Sequence, residues 1–99
     1  MMAADSTPPS PALAAATLQA VRDALVGYLA DPQRSDELRA ALGAMAAEAR
    51  AKAILPERLL VTLKDLWYGL PPVRHATDGM EQARLLQRIV TMCIREYYR

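Results

Sequence analysis

The sequence contains no phenylalanine, one tryptophan, one cysteine (Cys93) and one histidine (His75). A lone cysteine excludes a disulfide framework within the chain and suits a reducing compartment. There is no Cys-x-x-Cys, no histidine pair at i, i+4 and no Glu-x-x-His, so no motif for a metal is present. Gly27, Gly43, Gly69 and Gly79 stand apart, which excludes a glycine-rich phosphate loop. No apolar run approaches the roughly 20 residues that span a bilayer. No period-2 alternation suggests a strand, and no repeat of 20 to 50 residues is visible. These absences point away from an enzyme, a cofactor, a membrane span or a small-molecule substrate. A Cys–His dyad would have to come from Cys93 and His75. His75 lies in a proline-flanked loop and Cys93 on an expected core face, where cysteine acts as a small hydrophobe.

Hydrophobic residues make up 53% of the 99 residues, enough to bury a core in one domain. Much of that fraction is alanine, so the core depends on a limited set of larger side chains. The opening stretch MMAADSTPPSP lacks a basic region, carries Asp5 and breaks at Pro8, Pro9 and Pro11. It reads as a disordered tail over residues 1–10 rather than a signal peptide, preceding a single helical domain over 11–99. A soluble, cytoplasmic protein is the expectation. Lysine occurs only at Lys52 and Lys64, with arginine supplying the other basic groups. With the alanine richness, that usage suggests a GC-rich bacterial coding sequence.

Net charge is +1, but it is unevenly placed. Residues 1–49 balance to −3 and residues 50–99 to +4, an asymmetry that favours attraction within one molecule or between two.

Helical periodicity organises the rest. Leu18, Val21, Leu25, Tyr28 and Leu29 share a face of a first helix over about 11–30, with Ser10 and Pro11 suited to its start and Pro32 ending it. Ser35 is the expected N-cap of a second helix over about 35–54, whose stripe is Leu38, Ala41, Leu42, Met45, Ala49 and Ala53. A third helix over about 56–69 starts at Pro56, with Leu59, Leu63, Leu66 and Leu70 on one face, Leu60 and Trp67 beside it, and Gly69 as C-cap. The second and third are expected to act as one unit kinked near Pro56. After the loop PPVRHATDG, Asp78 with Glu81 resembles a capping box opening a fourth helix over about 78–98. Its core side comprises Leu86, Ile89, Val90, Cys93, Ile94 and Tyr97, so its last turns are expected to be structural. The fold expected is all-α: a small four-helix bundle.

Two surfaces stand out. On the fourth helix Arg84, Arg88, Arg95 and Arg99 fall at i, i+4, i+11 and i+15, opposite the core side. This is either a solvated face or an anion-facing one. On the third helix Val61, Lys64 and Tyr68 form an outer strip, which is either ordinary scattered exposure or a contact with another subunit or partner. Together they point to a small non-enzymatic interaction or regulatory adaptor protein that binds a protein partner or itself as a homodimer. The alternative is a small nucleic-acid-binding regulator using the arginine stripe. Near-neutral charge and the lack of a helix-turn-helix, ribbon or zinc module weigh against it.

Overall fold

Proline, glycine and short polar turns divide the chain into helices. In a computed structural model, which describes residues 12–75 and 78–99, these are α1 (Ala15–Ala30), α2 (Ser35–Ala51), α3 (Pro56–Tyr68), α4 (Pro71–Arg74) and α5 (Gly79–Tyr97). The protein is an all-α bundle of four main helices, and no strand occurs among the described residues. α2 packs against both α1 and α5, and α3 lies against α5 and α1. Val21, Leu25 and Tyr28 from α1, Leu38, Leu42 and Met45 from α2, Leu59, Leu63 and Trp67 from α3, and Leu86, Ile89 and Cys93 from α5 meet in one core. No polar or charged residue is buried there. Ala46 and Ala49 are also fully buried on α2 and keep its flank thin where neighbours approach.

Several helix ends differ from the sequence expectation. The expected tail and the suggested start at Ser10 and Pro11 lie outside the described residues; α1 begins at Ala15. Its N-cap, Ala14, has no side chain able to accept from the first turn. A carboxylate from α2 takes that role instead. Glu48 Oε2 accepts from the Ala14 N–H at 2.6 Å, and Oε1 accepts from the Thr17 hydroxyl. Lys52 Nζ donates to Glu48 Oε2 at 2.7 Å and to the Ala12 carbonyl at 2.8 Å. The negative group thus sits at the positive end of α1, where helix dipole and free N–H groups favour it.

Hydrogen bonds from Lys52, Thr17 and Ala14 outweigh desolvation and lower the Glu48 pKa from 4.5 to about 2. A depressed folded-state pKa stabilises the fold above the unfolded value, and that stability is lost as pH falls through the folded one. Glu48→Gln should therefore melt below wild type at neutral pH. The gap should close as pH drops from about 4.5 towards 2. Thermal melts across that range test it; a gap independent of pH would deny Glu48 this role.

Ser35 is the first residue of α2 rather than its cap; Arg34 occupies the cap position and no side chain caps it. Arg34 instead donates to Glu37 at 2.7 Å. α2 also ends earlier than expected, at Ala51. The Ile54 N–H reaches the Ala49 carbonyl at 2.8 Å and the Ala53 N–H reaches Arg50 at 3.2 Å, the paired bonds of a Schellman ending. Ala53 takes φ 58° and is exposed, so it leaves the stripe assigned to it, while Ile54 turns into the core. Leu55 is extended, which makes α2 and α3 separate helices rather than one kinked unit.

The left-handed conformation costs an alanine roughly 1–2 kcal/mol, partly offset in glycine by its greater unfolded-state freedom. Ala53→Gly should accordingly stabilise the protein by about 0.5–1 kcal/mol, raising Tm by several degrees in a domain of this size. An unchanged or lower melting temperature would contradict the assigned ending.

α3 follows expectation, with Pro56 in its first turn and Gly69 at its C-cap. The loop after it is not wholly irregular, because Pro71–Arg74 form one helical turn. Asp78 caps α5 as expected, accepting from the Glu81 N–H at 3.0 Å.

Candidate partner-binding surface

α5 carries the arginine stripe, and three contacts hold its far end in place. Arg50 of α2 donates through Nη1 to the carbonyls of Glu96 at 2.6 Å and Tyr97 at 2.8 Å, neutralising the negative end of α5. The Tyr97 hydroxyl donates to the Ile54 carbonyl at 2.7 Å, tying α5 to the turn between α2 and α3. The missing side chain at Gly43 leaves room for the Glu96 carboxylate: a Cβ there would stand 3.0 Å from Glu96 Oε1. The core side of α5 is narrower than the sequence suggests. Leu86, Ile89 and Cys93 are buried, Val90 and Tyr97 are half-buried, and Ile94 is exposed. Ile94 sits off the line joining the fully buried positions and stays 38% exposed.

With its core side fixed, α5 presents Arg84, Arg88 and Arg95 to solvent. They line an open groove of about 760 Å³ together with Arg39 from α2. Met80, Ala83, Thr91 and Met92 supply its less polar lining. Met80 is 71% exposed, a large apolar side chain left uncovered beside the cations. Arg84, Arg88 and Arg95 form no ion pair among the described residues, and Arg39 meets Asp36 only at 3.9 Å. Arg99 departs from the stripe. It turns to Glu96 at 3.1 Å and does not line the groove.

The residues that sequence reasoning missed are Arg39, Met80 and Met92. Arg39 lies on another helix, and only the packing of α2 on α5 brings it to the stripe. The methionines fall beside the arginines on α5 and were legible as neighbours, had its outer face been read for apolar groups as well as charge.

On α3, Val61 and Tyr68 are 58% and 60% exposed, and Lys64 is exposed and in no ion pair among the described residues. Tyr68 lines a smaller cleft with Trp67, Val73 and Ala83, and Ala83 also belongs to the arginine groove. The two surfaces therefore adjoin at Ala83.

The groove has the chemistry of a docking surface. Unpaired guanidinium groups offer forked donors to carboxylates, while methionine and alanine offer adaptable apolar contact. It lies open to solvent and would leave a small molecule largely uncovered.

Nucleophilic chemistry finds little support in the same region. Cys93 is fully buried, and desolvation, with the nearby Glu96 charge, pushes its thiol up to about 11. At neutral pH it is a protonated core residue rather than a thiolate. His75 is exposed at the end of α4. Among the described residues no group of three His, Cys, Asp or Glu side chains is placed to hold a metal ion, and no helix is long and apolar enough to cross a membrane. Comparison with protein-family models, with curated proteins and with solved structures finds no match to this chain.

Proposed function

We propose that this is a non-enzymatic protein-interaction or regulatory adaptor protein whose working surface is the α2–α5 groove, and that its partner presents an acidic, partly apolar protein surface. One observation carries the reading: Arg39, Arg84, Arg88 and Arg95 line an open groove with exposed Met80, and the three α5 arginines lack an ion pair among the described residues. A merely solvated face needs no apolar lining. A phosphate-tracking face gains little from methionine, whereas a protein partner uses both elements.

The test is a native pull-down with mass spectrometry, comparing wild type with Arg84→Glu/Arg88→Glu. Both sites are exposed, so stability should change by no more than about 0.5 kcal/mol per site. Wild type should retain a defined protein partner that the double variant loses, and capture should weaken as salt rises. Equal capture by both forms would defeat the reading. A gel shift with random duplex DNA at low salt addresses the nucleic-acid alternative. A tight shift abolished by the double reversal would replace the protein partner with nucleic acid.

A further inference from the structure

The lining of the arginine groove restricts the backbone it can hold. Arg39, Arg84, Arg88 and Arg95 can only donate hydrogen bonds. The Thr91 hydroxyl already donates to the Gln87 carbonyl at 3.0 Å. Among the lining side chains only the Gln87 amide oxygen and the Thr91 hydroxyl oxygen can accept. Along the groove α2 and α5 spend their backbone groups within the helices, so no sheet edge is offered. An extended segment laid here would turn a row of N–H groups toward a surface with two acceptors. A helix arrives with its backbone bonds already made and presents side chains alone.

Charge sets what those side chains are. The acids nearest in sequence stay off the lining. Asp36 meets Arg39 only at 3.9 Å, Glu96 is held by Arg99 at 3.1 Å, and Glu81 pairs with no arginine among the described residues. The lining thus carries four cations and no anion. Arg84, Arg88 and Arg95 stand at offsets 0, 4 and 11, a line roughly 16 Å long at about 1.5 Å of rise per residue. Carboxylates at offsets 0, 4 and 11 on a helix parallel to α5, or at 0, 7 and 11 on an antiparallel one, fall opposite that line. At 100° per residue Met92 lies on the same flank of the line as Glu96, the flank that faces Gly43 of α2. Half-buried Met92 therefore forms an apolar floor between the α5 arginines and Arg39. Among the described helices of this chain none carries carboxylates at three such positions, which points to a different protein as the source.

We infer that the groove's occupant is an amphipathic helix of another protein, with carboxylates in register with Arg84, Arg88 and Arg95 and apolar side chains beside them on Met92. This deepens the proposed function and rests on the groove being a protein-docking surface.

The test uses the full chain and three fluorescent peptides of one composition, each about 18 residues long to cover the line. The matched peptide carries glutamates at offsets 0, 4, 7 and 11, which serve either direction, with leucines on the adjoining flank. The second spreads the same glutamates around the helix, and the third moves one proline from the end to the middle. Fluorescence anisotropy measures binding, and circular dichroism measures helix gained on binding. The matched peptide should bind and become more helical. The two controls should bind about tenfold or more weakly, as should the matched peptide to Arg84→Glu/Arg88→Glu. Thermal melts of that variant should match wild type. Failure of the matched peptide to bind, equal binding by either control, or binding indifferent to the double reversal would overturn the inference. So would displacement by random duplex DNA more readily than by unlabelled matched peptide, which would give the groove to nucleic acid. If the proline-broken peptide binds equally well and still needs Arg84 and Arg88, the helix falls and the protein-docking reading stands. If neither the peptides nor the pull-down depends on those arginines, both fall.

Discussion

Trp67→Ala should lower stability by about 3–5 kcal/mol, the usual cost of emptying a large buried aromatic site. Trp67 is 1% exposed and, with Tyr28, one of the two aromatic side chains in the fully buried core. The core it belongs to is built mainly of leucines, which can close the space left by an indole only by shifting. A domain of about this size has roughly 5–15 kcal/mol in total, so the variant should be marginal or unfolded at ambient temperature. Its position also matters. Trp67 packs in the core with Leu59 and Leu63 while lining the cleft between α3 and α5. Emptying it should therefore loosen the helix pair that carries both exposed surfaces. Urea titration followed by circular dichroism measures the change, and Trp67→Phe, which keeps most of the apolar volume, should recover a substantial part. A cost below about 1 kcal/mol would mean the site collapses or admits water without penalty.

The parts of the fold that were legible in sequence are those decided locally. α3 is the clearest example: Pro56 begins it, Gly69 closes it, and the spacing of Leu59, Leu63 and Trp67 aims one side inward. The Asp78 cap of α5 is also local, since donor and acceptor are three residues apart. The misread features depend on partners distant in sequence. Ser35 is a good capping residue by type, yet the cap position belongs to Arg34. The α1 start is satisfied by Glu48, thirty-four residues from Ala14, and nothing around Ala14 announces it. Ala53 looked like another alanine of the α2 stripe, but the chain needs a left-handed residue there to turn Ile54 inward.

The candidate surface divides in the same way. Arg84, Arg88 and Arg95 share a helical face by spacing alone, and the structure brings them together as expected. Arg99 belongs to the same periodic series but lies past the end of α5 at Tyr97, where Glu96 takes its charge. Arg39 joins the groove because α2 packs against α5 along its alanine-lined side. Periodicity finds a face; only packing reveals what stands beside it. The Val61, Lys64 and Tyr68 strip is exposed as anticipated, but its junction with the groove at Ala83 depends on the antiparallel seating of α3 on α5.

Removing residues 94–99 should destabilise the bundle by about 2–5 kcal/mol and leave a partly unfolded or aggregating chain. Ile94 is not the reason, because it is exposed, and Ile94→Ala alone should cost within about 0.5 kcal/mol. The loss instead falls on Tyr97 and on the carbonyls around it. Tyr97 packs against the core, and its hydroxyl bonds the Ile54 carbonyl just where the chain leaves its left-handed turn. Arg50 would lose both of its acceptors, the carbonyls of Glu96 and Tyr97, and α2 would lose the Glu96 side chain it approaches at Gly43. Three point changes separate these parts. Tyr97→Phe removes only the hydroxyl and should cost about 1 kcal/mol, the usual net worth of one hydrogen bond. Tyr97→Ala adds the lost packing and should account for most of the truncation's effect. Arg50→Ala should lower stability through the uncapped end of α5, by about 0.5–2 kcal/mol for a charged group at a helix terminus. Thermal melts of the five variants give the order directly: truncation largest, then Tyr97→Ala, with Arg50→Ala and Tyr97→Phe below both and Ile94→Ala near wild type. A truncated chain that stays soluble and melts with wild type would show that these contacts contribute nothing to the fold.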